Sequence, residues 1–357
     1  MRHWPVGLLL ASLVGACAPT TGPVSLPTEV LVVLDREERS LRLVAADSTD
    51  AVVTIPLGIG PGAPTTLAVR GSIAAVGLGT GGQILLIDLA TRQLAAVIVT
   101  GFGENSPIVS VAITEEGEGY AASPIVNLVT RFTLDGAAEQ IPGLTQGPQA
   151  FGLARGRVFF VNGNRQNCYP IQAICANNPS WLGPFERNKN PLDSVPLLGP
   201  GNAVAAVLGA DGLLYVLNAG NGGTVEGRLS AVDPVRLREV ASFGGFGVFP
   251  RYIASDGGDR LLVASEAEGL MVFNTRTRAL ERGAGSGIPL QDPRALTSDG
   301  LGRAYVVEGG SCTAGGALGR IRVFGADLVE RRAIPTGICP VAAAVTEIPA
   351  DLFPLGG

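Results

Sequence analysis

Histidine is all but missing from this chain. The only one, His3, stands in a leader segment expected to be removed, so the mature protein has none. That absence excludes Ser-His-Asp triads, Cys-His pairs, and His-ligated zinc or haem together. Lysine is almost as scarce: among 26 basic residues Lys189 alone is a lysine, and nothing around it in sequence would depress its pKa for Schiff-base chemistry. A basic excess is lacking too, since the formal net charge is -5, which argues against nucleic acid as a partner. No stretch longer than a turn carries helical periodicity, and the longest apolar run, Val6 to Val14, is too short to span a bilayer.

What is abundant is apolar residue and turn former. The chain is 46% hydrophobic and 16% charged, with 50 Gly and 25 Pro, enough to build a core and break it often. Arg2 and His3 followed by the Val6 to Val14 run read as a signal peptide over 1–16, and the chain is expected to be exported. The run ends in Leu13-Val14-Gly15-Ala16-Cys17, which resembles the lipobox of bacterial lipoproteins. The resemblance implies diacylglycerol on the Cys17 thiol, which becomes the mature N-terminus. Ordinary cleavage after Ala16-Cys17-Ala18 is the alternative. Residues 17–28 then form a Pro/Thr tether to the membrane, with the main domain over 29–350 and a tail over 351–357. Setting Cys17 aside leaves Cys168, Cys175, Cys312 and Cys339, an even number suited to an oxidising compartment.

A proline recurs at Pro64, Pro107, Pro148, Pro200, Pro250, Pro293 and Pro340, a period belonging to propeller blades or solenoids. After most of them come a small apolar strand, a Gly-containing turn and a β-rich run, as in Arg251 to Glu266 and Arg294 to Gly309. Two more strands follow, for example Gly269 to Leu280 and Arg320 to Ile334, making four per unit. Six units open at the prolines from Pro64 to Pro293. Glu29 to Ala63 holds strands two to four only, and Pro340 to Glu347 holds strand one only. The two fragments complete each other. The expected fold is therefore all-β, a seven-bladed β-propeller of four-stranded antiparallel blades closed by pairing of the N- and C-terminal segments, leaving no open ring. Six or eight blades are the alternatives if the long third unit divides differently.

The repeat resembles the YVTN/NHL-like family of bacterial propellers. Tyr215-Val216-Leu217-Asn218 matches three residues of the tetrapeptide that names it, with echoes at Ile87 to Gly101, at Phe273 to Leu280 and in the Asp-Gly turns at Asp211, Asp256 and Asp299. Most blades lack the tetrapeptide. Gly77 to Gly82 fits G-x-G-x-x-G, but Gln83 to Leu89 continues as a strand, so it reads as a hairpin and not a phosphate site. Trp181, the one tryptophan after leader removal, is too few for the repeated motifs of quinone-cofactor propellers.

In a propeller, the connections from second to third strand and from fourth strand to the next blade share one rim. The longest sequence insertions, Arg165 to Ser194, Ala219 to Arg228 and Gly309 to Arg320, all read as second-to-third connections. The first holds Tyr169, Trp181, Phe185 and Lys189, a set suited to a protein partner or to folding back on the propeller. Cys312 and Cys339 fall on the same rim and can pair, and Cys168 with Cys175 would close a ring inside the insertion; pairing across the loops and free thiols stay open. Residues just after the prolines, namely Thr65, Ile108, Gln149, Asn202, Arg251, Arg294 and Val341, are expected at the mouth of the central channel. Arg251 with Arg294 would make one sector cationic, suited to a small anionic ligand or to backbone carbonyls. The family resemblance implies one enzymatic alternative, a calcium-dependent lactonase-like hydrolase using Asn162, Asn218, Glu266 and Glu308. No cofactor is otherwise expected. The residue set favours a binding or scaffolding protein over an enzyme, anchored in the bacterial cell envelope. Ala18 after the cysteine favours the outer membrane, at its periplasmic face or the cell surface.

Overall fold

The computed structural model describes residues 27–46, 52–58, 60, 62–143, 145–164, 179–186, 192–199, 201–221 and 225–349. Twenty-eight strands form seven four-stranded antiparallel sheets, and each sheet is one blade. Blade 1 runs Pro64–Arg70, Ile73–Leu78, Gln83–Asp88 and Gln93–Val99 from the innermost strand outward. Blades 2 to 6 repeat the order, opening at Ser110, Pro148, Ala203, Pro250 and Pro293. The innermost strands of successive blades lie side by side around the ring.

The seventh blade is built from both ends of the described chain. Its innermost strand is Pro340–Pro349, and its outer three are Pro27–Asp35, Ser40–Ala45 and Val52–Pro56. Pro27 pairs with Pro349 and Val33 with Ala343 in continuous antiparallel register, so the ring closes by main-chain hydrogen bonds between its first and last strands. The first strand starts two residues before the expected boundary at 29.

Strand alternation places each blade's apolar residues against its neighbours, and the core is accordingly a set of clusters between adjacent blades. Val30, Val32, Leu34, Ala74, Val76 and Leu85 fill the space between the closing blade and blade 1. Tyr120, Phe151, Phe160 and the partly buried Phe185 fill that between blades 2 and 3. The innermost strands are short-chained, as in Ala203–Leu208 and Pro340–Pro349, which lets seven of them converge. Packing is equally tight inside a blade: a Cβ on Gly119, in the second strand of blade 2, would stand 2.0 Å from the Phe132 ring in the third.

Cys17, Cys168, Tyr169, Cys175 and Lys189 lie outside the described residues, as do 1–16, most of the tether and the tail. Among the described residues no helix is long and apolar enough to cross a membrane.

Candidate functional site

The antiparallel order gives the ring two faces. One rim carries the hairpins between first and second strands and between third and fourth, which are mostly tight, such as Gly71–Ser72 and Arg155–Gly156. The other carries the second-to-third connections and the blade-to-blade crossovers, including 163–180, 219–227 and 309–317. The disulfide Cys312–Cys339 belongs to this loop rim. It joins the blade 6 connection to the residue before Pro340, with the two Cα atoms 4.6 Å apart. The Gly77 to Gly82 segment is a strand end and a turn on the same rim.

The long third-blade insertion divides differently from the expected single loop. Trp181–Phe185 is the third strand of blade 3, paired with Val158–Asn162, so the connection from Phe185 to Val195 belongs to the opposite rim. Phe185 is half-buried and stacks on Phe160, with centroids 5.8 Å apart, and Trp181 is half-buried at the strand's loop-rim end. The two aromatics are blade residues.

Residues proposed for the channel mouth meet several fates. Ile108 is fully buried between blades 1 and 2, because the strand of blade 2 begins three residues after Pro107. Thr65 shares its hydroxyl between the carbonyls of Gly77 and Ile108. Asn202 is buried at φ 77°, and its Nδ2 donates to Gly220 O at 2.9 Å. Gln149 and Val341 are half-buried. Arg294 Nε stands 2.9 Å from Asp292 Oδ1, an ion pair at an angle that makes no hydrogen bond. Arg251 is exposed, with its guanidinium 5.9 Å from the Phe249 ring. Of the expected pair of arginines, Arg294 is neutralised by Asp292, and Arg251 has no carboxylate partner among the described residues.

Three of the four residues of the calcium alternative make hydrogen bonds within their own blades. Asn162, Asn218 and Glu308 occupy one repeated position, the last residue of a second strand, each in a different blade. There each serves its own blade. Asn162 Oδ1 accepts from Gln146 N at 2.7 Å, and Glu308 Oε1 accepts from Gln291 N at 2.8 Å, while Glu308 Oε2 accepts from Arg320 Nε at 2.6 Å. Asn218 Nδ2 donates to Ser230 Oγ at 3.1 Å. Glu266 lies one residue past the equivalent position, exposed in a turn beside Glu268. Among the described residues no group of three or more His, Cys, Asp or Glu is arranged to hold a metal.

The same position explains two residues that single-strand reading passes over. Ser265 Oγ donates to Val248 O, and Asp35 Oδ1 accepts from Gly337 N at 3.1 Å, so in three blades this side chain clasps the crossover entering that blade and in the closing blade it clasps the end of the preceding strand. The crossover's backbone groups would otherwise be buried unpaired. Aligning LVVLD, FFVN, YVLN, LVAS and YVVE at their strand ends would have exposed the position. Asp35 is its most perturbed member. Burial outweighs its bond from Arg42 Nε at 2.6 Å, because Arg42 divides its charge with Glu38, and the Asp35 carboxyl is pushed up to about 6.

The tight-turn rim has its own polar repeat. Asp299 accepts from the amides of Leu301 and Arg303, from the Arg303 side chain and from Tyr305 OH. Burial opposes its charge, but the bonds from Arg303 and Tyr305 prevail and hold the carboxyl below the usual range. Asp256 with Arg260, and Asp211 with Tyr215, build partial copies of this brace. A cleft of about 370 Å³ opens between the turns of blades 1 to 4, lined by Arg70, Glu115, Glu116, Arg155 and Leu208 over Tyr120 and Phe185.

No protein-family model matches the chain, and no curated protein sequence does. Solved structures do match by fold. The chain is similar to Kuenenia stuttgartiensis hydrazine synthase, with a TM-score of 0.59 and 12% identity over 79% of this chain and 89% of that one. It is also similar to the WD40 β-propeller domain of Doa1, with a TM-score of 0.57 and 11% identity over 78% and 89%. At such identities the likeness is one of fold, the seven-bladed propeller.

Proposed function

We propose that this protein is a non-enzymatic binding or scaffolding module, exported and held by a lipid on Cys17 in the bacterial cell envelope, that engages its partner through the loop rim. The YVTN/NHL-like resemblance and the lipobox support the setting; the outer membrane is its location. One observation carries the binding role. Among the described residues, Asn162, Glu308 and the Nδ2 of Asn218 are engaged within their own blades, whereas the second-to-third connections of that rim at 163–180, 219–227 and 309–317 are long. Loops displayed on a closed, rigid ring are where recognition concentrates. A protein partner is favoured over a small anion, since Asp292 neutralises Arg294 and leaves Arg251 without the second guanidinium of a fork.

The test is capture of partners by the full lipidated chain from its native membrane after amine-directed cross-linking, with Lys189 as the only side-chain amine. A parallel capture uses a variant in which residues 166–178 are replaced by a Gly-Ser linker, a change that stops short of the Trp181–Phe185 strand. Loss of a reproducible partner in the variant supports the reading. A partner retained unchanged removes this loop as the interface, and no partner with either chain turns the search to anions, for which Arg251→Ala is the control.

A further inference from the structure

We infer that the anchored protein stands on the membrane with its tight-turn rim toward the lipid and its loop rim pointing away. This rests on the proposed anchor at Cys17, and on where the described chain leaves the ring. Second strands run from the tight-turn rim to the loop rim, and first strands run the opposite way. In the closing blade, Pro27 begins a second strand and Pro349 ends a first strand, and the two residues pair with each other. Both ends therefore leave from the tight-turn rim, next to one another.

Chain length then limits the alternatives. The stretch 17–26 reaches at most about 35 Å when fully extended. A blade strand of six residues is about 20 Å long, before its loops are added. Bringing the loop rim to the bilayer would need the tether to run back along the whole height of a blade and around the loops, close to its limit and at a large loss of chain entropy. With the tight-turn rim down, the tether needs no extension at all.

Exposed charge does not separate the rims: at the tight turns Arg70, Arg92, Arg155, Arg238 and Arg278 stand against Glu115, Glu116, Asp135, Asp193 and Asp211, so the orientation rests on the chain path. The arrangement holds the elaborated loops, and the disulfide that fixes one of them, where a partner outside the membrane can reach them.

The protein carries its own reporter. After leader removal Trp181 is the only tryptophan, and it sits at the loop-rim end of its strand. The lipidated chain in anionic vesicles containing dansyl-labelled headgroups is compared with Trp181→Phe/Leu301→Trp, which moves the reporter to an exposed tight turn; Leu301 is 67% accessible. Trp181→Phe/Val235→Trp repeats the measurement from a second turn, and unchanged thermal unfolding qualifies each variant. Energy transfer to the headgroups is expected from Leu301→Trp and Val235→Trp, with transfer from Trp181 much weaker. Equal transfer from both rims, or stronger transfer from Trp181, overturns the orientation. Mass analysis showing no diacylglycerol on Cys17 refutes the anchor itself and is read separately.

Discussion

The two rims are made from the same four strands per blade, yet they use polar residues in different ways. On the tight-turn rim the core of the bonding is local: Asp299, Arg303 and Tyr305 lie within six residues of one another, and Arg303 then reaches across to Glu29 and Ala46 of the closing blade. On the loop rim it is long-range: Asp35 meets Gly337, Asn162 meets Gln146, and Cys312 meets Cys339. Short hairpins can satisfy their own backbone. Long crossovers cannot, and they borrow a side chain from the end of the neighbouring strand. The loop rim can thus carry insertions of varied sequence without loosening the ring, because the clasps lie beneath the loops.

The severest way to break this contrast is at the tight-turn brace. Asp299→Ala leaves two amides and the Tyr305 hydroxyl without their acceptor and takes from Arg303 one of its two carboxylate partners, and is expected to cost about 3 to 5 kcal/mol in urea unfolding. A loss below about 1 kcal/mol would mean that the hairpin is held by its apolar strands alone. Next is the loop rim's covalent tie. Cys312 and Cys339 are 27 residues apart, and the double Ser variant is expected to lose about 2 to 4 kcal/mol, with reduced wild type matching it. Equal stability of oxidised and reduced protein would show that the main-chain pairing of Pro27–Asp35 with Pro340–Pro349 closes the ring unaided.

Asp35 offers a titration of the closure. Its folded pKa of about 6 lies above the unfolded carboxylate value of about 3.9, so the fold gains most from it below the unfolded value. That contribution disappears as pH rises from about 4 through 6. Relative to Asp35→Asn, which cannot titrate, wild type is expected to lose up to about 2 to 3 kcal/mol across this window. Parallel stability curves would show that Arg42 compensates the buried charge fully. The smallest effect belongs to the channel mouth. Arg294→Ala and Arg251→Ala are each expected to shift stability by no more than about 0.5 kcal/mol, as partly exposed pairs and exposed cations do. A larger loss for Arg251→Ala alone would assign it a structural role on the loop rim.

Much of the fold was legible because propeller strands are short, alternate strictly and open at proline, a residue tolerated at a strand's first position. Where proline behaved differently, reading failed. Pro107 stands three residues ahead of its strand, so Ile108 entered the core and not the mouth. Trp181–Phe185 carries Gly183 and Pro184 and did not read as a strand. It survives as one because the fourth strand of blade 3, Val195–Pro196, reaches only Trp181 and Leu182, leaving Pro184 at a free edge where no ladder donor is needed.

The sequence by itself determined the blade period, the antiparallel order, the closure of the ring by its two ends and the rim of the insertions at 219–228 and 309–320. These follow from local alternation and turn chemistry, and from one count of incomplete units. Only the tertiary structure decided which polar residues are engaged. Asn162, Asn218 and Glu308 looked available for a metal because their spacing showed nothing of the crossover amides and partner side chains they meet, and Asp35 went unnoticed because its partner amide is 302 residues away. Hydrogen-bond partners of this kind are fixed by where the ring brings separate strands together, and no sequence window short enough to show a pattern contains both halves of the bond.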